Sequence, residues 1–281
     1  MGDLEVDTRP EPQGDGRYVV QLSPDWAIWG PNGGYIACTA LRAAGLEAEL
    51  PHPASLSCQF LRPATFDLPL ELTVTALRRS KRTAALRVEA TQDGTRVLEA
   101  QVWAVSEVPG LEHDHAPIPH PGDPRDRPTI EQLLAASDRE EEAPFPFWLN
   151  FEARPIDWIA DWEHRDAGAP VAGGWYRYLE TSPSPDPWVD ACRSVVLADT
   201  FTWPAAVRAH RAADMPPVIA PSLDLHVTLL HPATDSDWLQ VEGQAPVATG
   251  GTVGTSMRVW TEDGRLTALA SAALLCVPMR G

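Results

Sequence analysis

Two stretches of this chain repeat, in the same order and at nearly one spacing. Residues 55–65, SLSCQFLRPAT, are echoed by residues 222–234, SLDLHVTLLHPAT, and Pro63 and Pro232 stand 169 positions apart (63 to 232). Residues 90–100, ATQDGTRVLEA, are echoed by residues 260–270, WTEDGRLTALA, and Thr91 and Thr261 stand 170 apart (91 to 261). Self-similarity at a fixed spacing marks a duplicated structural unit. With 281 residues, the chain has room for two copies.

Each copy reads as antiparallel sheet around a helix. Leu70, Leu72, Val74 and Ala76 alternate with Glu71, Thr73 and Thr75. That period of two belongs to a sheet with one buried face. Residues 83–90 continue the pattern, Leu86 and Val88 lying out of phase with Arg87 and Glu89. Asp93-Gly94 then suits a hairpin turn, because glycine tolerates positive φ, and residues 97–105 return. In the second copy the strands are residues 238–242, 253–260 and 266–276, with a turn at Asp263-Gly264. Hairpin connections imply antiparallel pairing.

Residues 29–46, WGPNGGYIACTALRAAGL, read differently. A Pro-Asn-Gly-Gly turn opens a helix carrying Tyr35, Ile36, Cys38, Leu41 and Leu46, with alanines in most gaps and only Thr39 and Arg42 interrupting. A helix apolar nearly all round is a buried helix. Its counterpart is residues 186–199, DPWVDACRSVVLAD, with Pro187 suited to the first turn. The second copy opens at FWLNFEARPIDW and GGWYRYLE. The expected organisation is a first unit over residues 1–108, a Pro- and charge-rich linker over 109–146, and a second unit over 147–281. Within the linker, TIEQLLAAS is expected to be a short helix capped by Thr129. His113, Asp114, His115 and His120 have irregular spacing bracketed by prolines, so no metal site is expected there.

A formal net charge of −17 argues against nucleic acid or an anionic membrane as the main partner. No run of about eighteen apolar residues is present, so no transmembrane helix is expected. The acidic start, MGDLEVDTRPEP, shows no hydrophobic signal segment. Cys38, Cys58, Cys192 and Cys276 lack metal or redox spacing, and each lies in an apolar run, so buried free thiols are expected. Together these features point to a cytoplasmic location. Against the acidic background one basic cluster stands out: Arg78, Arg79, Lys81 and Arg82, in LRRSKRT. Its counterparts at the 170 spacing are Ala248, Thr249, Gly251 and Thr252, which are neutral. The cluster is either a solvated turn or a single anion-binding edge.

A buried helix wrapped by a curved antiparallel sheet, present twice, resembles the double hot-dog arrangement, an α+β fold. The motifs GPNGGYIACTALRAA, HPASLSCQFLRPA, LRRSKRTAALRVEATQDG, VVLADTFTWPA and PSLDLHVTLLHP resemble those of the acyl-CoA thioesterase II family. The resemblance implies hydrolysis of an acyl-CoA-type thioester by an Asp-activated water, with a backbone oxyanion hole and no cofactor. It implies acyl-CoA or a related thioester as the partner and leaves homo-oligomerisation open.

The resemblance makes Asp199 the base and places Ser222 at the family's catalytic threonine. Taken alone, Asp199 reads rather as the N-cap of a short helix carrying Pro204, and Ser222 as an ordinary strand-edge serine; the resemblance is what favours the base. Asn32, Gly33 and Gly34 sit where a helix leaves its first N–H groups unpaired and partly positive. Without a Cβ, glycine lets either a thioester or a neighbouring helix come close, so Gly34 is a candidate oxyanion donor or a packing residue. Arg78, Arg79, Lys81 and Arg82 are candidates for the CoA phosphates.

The pattern breaks at one position. A glutamine that helps hold the water in the family falls at about Ala272, whose side chain can neither donate nor accept. Gln101, on the equivalent strand of the first copy, substitutes only if packing brings it near. A non-catalytic acyl-CoA or acyl-lipid binding protein is therefore the alternative reading. There is no Gly-x-Ser-x-Gly elbow of a serine hydrolase, and no histidine near Asp199 as a hydratase would carry.

Overall fold

The computed structural model describes residues 1–137 and 144–279. The chain starts with a one-turn helix α1 (Leu4–Asp7) and strands β1 (Glu11–Gly14) and β2 (Arg17–Val20). Helix α2 (Gly33–Ala48) follows, then β3 (His52–Phe60), β4 (Leu70–Arg79), β5 (Thr83–Gln92) and β6 (Thr95–Val105). After a stretch containing α3 (Ile130–Ala135) come β7 (Phe151–Pro155), β8 (Val171–Tyr178), α4 (Pro187–Thr200) and α5 (Thr202–Arg208). The chain ends through β9 (Val218–Ile219), β10 (Asp224–Leu229), β11 (Trp238–Thr249), β12 (Thr252–Thr261), β13 (Leu266–Leu275) and β14 (Val277–Pro278). None of the described helices is long and apolar enough to cross a membrane.

Twelve strands make one antiparallel sheet in the order β1-β2-β4-β5-β6-β3-β10-β13-β12-β11-β8-β7. The second half of that order is the first half reversed, counterpart for counterpart. The halves meet at β3 and β10, where Leu225 faces Cys58 and His226 faces Ser57. Edge-to-edge joining satisfies backbone groups that an open edge would leave unpaired. The fold is the double hot-dog expected from the sequence.

Strand phase follows the alternation, with one instructive exception. Leu70, Leu72 and Val74 face the core, but a register shift between Ala76 and Arg78 leaves both Ala76 and Leu77 exposed. A bulge of this kind inverts the two-residue rhythm beyond it. Asp93 (φ 48°) and Gly94 (φ 68°) both take left-handed conformations, as a tight hairpin between β5 and β6 requires.

Asn32 caps α2, its Oδ1 accepting from the Tyr35 N–H at 3.0 Å, and Glu49 ends the helix with φ 56°. Most of α2 is buried on every side, although Leu46, in the last turn, is 58% exposed. One wall is the sheet. The other is α4, which runs antiparallel to it. Gly34 abuts Val195, Val196 and Asp199, the Cys38 thiol points to the Cys192 carbonyl at 3.5 Å, and Gly45 lies under the Trp188 ring.

These contacts define an approximate two-fold axis that carries residue 34 to 188, 38 to 192 and 45 to 199, a shift of 154 positions (38 to 192). The strands shift by 169, because a longer connection carrying α5 and β9 separates α4 from β10. Within α4, Arg193 is buried and pairs with Asp190 at 3.2 Å while bonding the carbonyls of Ala233, Ser236 and Asp237. The pair thus ties α4 to the turn before β11.

The segments outside the two repeats are anchored. Leu4 is buried, and its N–H donates to Thr181 Oγ1 at 2.8 Å, while Tyr35 donates its hydroxyl to the Asp7 carbonyl. The stretch before α3 crosses β11 and β12: Trp260 Nε1 donates to the Ala116 carbonyl at 3.0 Å, and the Gln240 amide pairs with both backbone groups of His120. Thr129 and Gln132 form a reciprocal capping box on α3. The six residues 138–143 of the expected linker lie outside the described residues.

A Cβ at Gly34 would come 2.9 Å from Val196 Cα and 3.0 Å from the Val195 carbonyl oxygen. Backbone cannot swing aside as a side-chain tip can. Gly34→Ala is therefore expected to destabilise the fold by about 1–3 kcal/mol through overpacking, despite a gain of up to about 1 kcal/mol in helix propensity. Urea unfolding of the two proteins measures this.

Candidate active site

Asp199 is held where α2 begins and α4 ends. The carboxylate is 8% exposed as a residue and accepts two hydrogen bonds. Gly34 N–H donates to Oδ2 at 2.9 Å, and the Ser222 hydroxyl donates to Oδ1 at 3.1 Å. Ser222, half-buried, reaches the site because it bridges to Leu274 of β13 just before β10 begins. The sequence thus brings Asp199, Ser222, Gly33 and Gly34 together from residues far apart in the chain.

Burial pushes the Asp199 carboxyl above the usual aspartate range, and the Gly34 and Ser222 hydrogen bonds pull it partly back. A group desolvated in this way is a stronger base once ionised. Neighbouring Cys58 is also pushed up, first by its own burial and then by the negative charge of Asp199. Cys58 and Phe60, both on β3, form walls of the site. Phe60 would lie 3.0 Å from a Cβ at Gly33. Cys58 is expected from the sequence as a buried thiol but not at this site, and Phe60 is not expected there; their signal is their place just before LRPAT on a strand entering the core.

Several expectations need correction. Asp199 does not cap α5: the residue before α5 is Phe201, and no side chain bonds there. Gly34 is not a free oxyanion donor, because its N–H already serves Asp199. The Gly33 N–H, the first of α2, has no partner among the described residues and is half-buried. Asn32 spends its side chain on the cap. Gln92, the Gln of the QDG motif, bonds the backbone of Thr65 and Leu68 and so fixes a loop.

Ala272 does face inward, at 5% exposure, opposite Thr255 of β12. Gln101 cannot stand in for it, since Gln101 pairs with Ser57 on the exposed face of the sheet. Thr255 is the inward hydroxyl nearest in register, and its Oγ1 donates to the Ala272 carbonyl at 2.8 Å. Its signal was a polar residue in phase with Val253 and Met257.

The basic turn lies elsewhere. Arg79 bonds the Glu47 carbonyl and carboxylate in the last turn of α2, at 2.5 and 3.7 Å. Thirteen helical residues separate that point from Gly34, about 20 Å at 1.5 Å per residue. Arg78, Arg79, Lys81 and Arg82 therefore do not line the mouth of the Asp199 site. Asp199 and Ser222 also do not line either of two cavities of about 260 and 230 Å³. They meet at the seam where α2, α4 and the start of β10 come together.

The linker histidines do not converge on a metal site among the described residues. The metal-type grouping among the described residues is Asp161, Glu163 and His164, beyond the linker, with Asp161 half-buried and the other two exposed. Cys38, Cys58 and Cys192 are buried and free, whereas Cys276 is half-buried.

A buried carboxylate at the junction of two antiparallel helices, inside a duplicated antiparallel sheet, puts the chain in the double hot-dog class of fold. The acyl-CoA thioesterase N-terminal domain profile matches residues 22–105, and the C-terminal domain profile matches residues 121–275. The chain belongs to the acyl-CoA thioesterase family. No curated protein matches it.

Among solved structures, a hot-dog protein of unknown function from Alicyclobacillus acidocaldarius superposes with a TM-score of 0.81 at 21% identity, covering 99% of this chain and 98% of that one. A putative thioesterase II from Thermobifida fusca gives 0.79 at 19% identity, with the same coverages. The tesB protein of Mycobacterium avium subs paratuberculosis gives 0.76 at 24% identity, covering 98% of each chain. At these identities the likeness is one of fold.

Because the folded pKa of Asp199 is raised above the unfolded value of 3.8, its stabilising share is fully present below that value. It is lost as pH rises through the folded pKa. Asp199→Asn keeps the acceptor for Gly34 and carries no charge. Its melting temperature is expected to gain on the parent as pH rises from below 4 to 8. Thermal melts across that range check this; a constant difference would contradict it.

Proposed function

We propose that the Asp199 seam hydrolyses an acyl-CoA thioester by activating a water molecule. The observation that carries this reading is the buried carboxylate held on one side by a helix N–H and on the other by the Ser222 hydroxyl. Each oxygen keeps a free lone pair, so a water can donate to Asp199 while Ser222 fixes the orientation of the carboxylate. The base takes a proton from that water as its oxygen attacks the carbonyl carbon. Negative charge then grows on the thioester oxygen.

The Gly33 N–H, at the positive end of α2, is the donor available to stabilise that oxygen. A Cβ at residue 33 would stand 2.8 Å from Asp199 Oδ2, so glycine also leaves room for the carbonyl to approach. Collapse of the tetrahedral species expels the CoA thiolate. The proton on Asp199 returns to the thiolate or to solvent. No metal or cofactor takes part in these steps.

Ala272 favours the second reading, a binding protein that retains acyl-CoA without turning it over. With a methyl group where a water-holding amide would stand, the water depends on Asp199 and Ser222 alone. The two readings separate on one measurement: turnover of a panel of acyl-CoA thioesters set beside binding of the same panel. Binding without turnover establishes the alternative.

If hydrolysis is observed, Asp199→Asn is expected to lower kcat by about 10²–10⁴ while leaving the fold intact. Unchanged turnover would reject Asp199 as the base. Ser222→Ala removes a hydrogen bond that lowers the Asp199 pKa, so the acid limb of the kcat/KM–pH profile should move to higher pH. A purely structural role for Ser222 would leave that limb in place.

A further inference from the structure

The approximate two-fold axis gives every feature of the Asp199 site a counterpart at the other end of the helix pair. There the catalytic groups are gone. Gly45 stands where Asp199 would, and Trp188 stands where Gly34 would, its ring packed on Gly45. Pro53 replaces Ser222 at the strand spacing of 169 (53 to 222). The space has not closed. A cavity of about 260 Å³ opens there, lined by Pro53, Ala54, Val105, Pro187, Leu229 and Thr267. By the same axis Pro187 corresponds to Gly33, and Leu229 to Phe60. This cavity is the partner position of the candidate active site.

Its surroundings are amphipathic. The Ser194 and Thr267 hydroxyls meet at 2.9 Å in its wall. His52 and His231 stand at its edge, His52 beside the carboxylate of Glu107 at 3.5 Å. The basic turn lies at this end too. Thr83 pairs with Val105 and the Ser106 N–H donates to the Arg82 carbonyl, so the turn is one strand from the cavity rim, about 5 Å in a sheet. Arg79 is engaged with Glu47, but Arg78, Lys81 and Arg82 are exposed and make no ion pair among the described residues. In a chain of net charge −17, such unpaired cations form a local attraction for phosphate.

We propose that this second cavity binds a CoA-type ligand without hydrolysing it. The apolar walls take the pantetheine or acyl portion, and Arg78, Lys81 and Arg82 take the phosphates. Gly45, Pro187 and Pro53 stand here in place of the carboxylate, helix N–H and hydroxyl that activate water and stabilise the oxyanion at the Asp199 site, so the ligand persists. The proposal needs the family's ligand chemistry but not turnover at Asp199.

Calorimetric titration of the full chain with CoA tests it. The expected result is a class of binding that weakens at least tenfold in the triple variant Arg78→Ala, Lys81→Ala, Arg82→Ala. Ala54→Trp, which fills the cavity, should abolish the same class while leaving kcat for acyl-CoA hydrolysis unchanged. The triple variant changes only exposed side chains, so it remains readable if the Trp protein fails to fold. CoA binding indifferent to the triple variant, or absent altogether, overturns the proposal. So does loss of turnover together with binding in a folded Ala54→Trp protein, which would place the ligand at Asp199. A parent protein that binds CoA through the basic turn yet hydrolyses nothing would sustain this site and reject the hydrolytic reading.

Discussion

The antiparallel contact between α2 and α4 is the constraint on which the rest depends. Helices with ordinary side chains pack with axes 8–10 Å apart. Here Gly34 lets backbone meet backbone, with Val196 Cα and the Val195 carbonyl within about 3 Å of where a Cβ would be. That proximity lets the Gly34 N–H reach Asp199 across the interface. Packing and chemistry are therefore one arrangement. A residue that pushed the helices apart would unseat the carboxylate as well.

The contact carries an energetic cost that locates function. A buried carboxylate loses its hydration, and two hydrogen bonds return only part of it. The net effect is the upward shift of Asp199. Asp190 is also buried and shifted upward, yet it faces Arg193 and the Ala233 N–H. One buried acid is neutralised by a cation and anchors a turn. The other has no cation beside it among the described residues, only neutral donors, and remains poised to exchange a proton. Both lie on the same helix, and their partners alone distinguish them.

Much of this was legible in the sequence, for identifiable reasons. The repeat at 169–170 positions and the two-residue alternation foretold two units of antiparallel sheet, because both depend on local pattern. The apolar girdle of α2 foretold its burial, since no surface helix tolerates that composition. Leu46 and Ala76 depart from the expected burial, because a helix end and a bulge override periodicity there. The site was legible only in part. Asp199, Ser222, Gly33 and Gly34 converge as expected, yet Gly34 spends its N–H on the Asp199 carboxylate and does not leave it free for a substrate. That depends on a distance across two helices, which no spacing along the chain encodes.

The placement of the basic turn shows where sequence reasoning stops and geometry begins. A lone cluster of cations in an acidic chain invites pairing with the buried carboxylate proposed as the base. Nothing in the chain order says which end of α2 each occupies. The helix is 16 residues long, about 24 Å at 1.5 Å per residue, so its two ends are chemically separate places. In a symmetric pair of identical units both ends would be alike. Two units in one chain carry no such requirement, and each end can differ. One end holds Asp199 and its donors with a neutral turn between β11 and β12. The other holds Trp188 on Gly45 and the basic turn between β4 and β5. The same axis that duplicates the fold is what makes the difference between its ends visible.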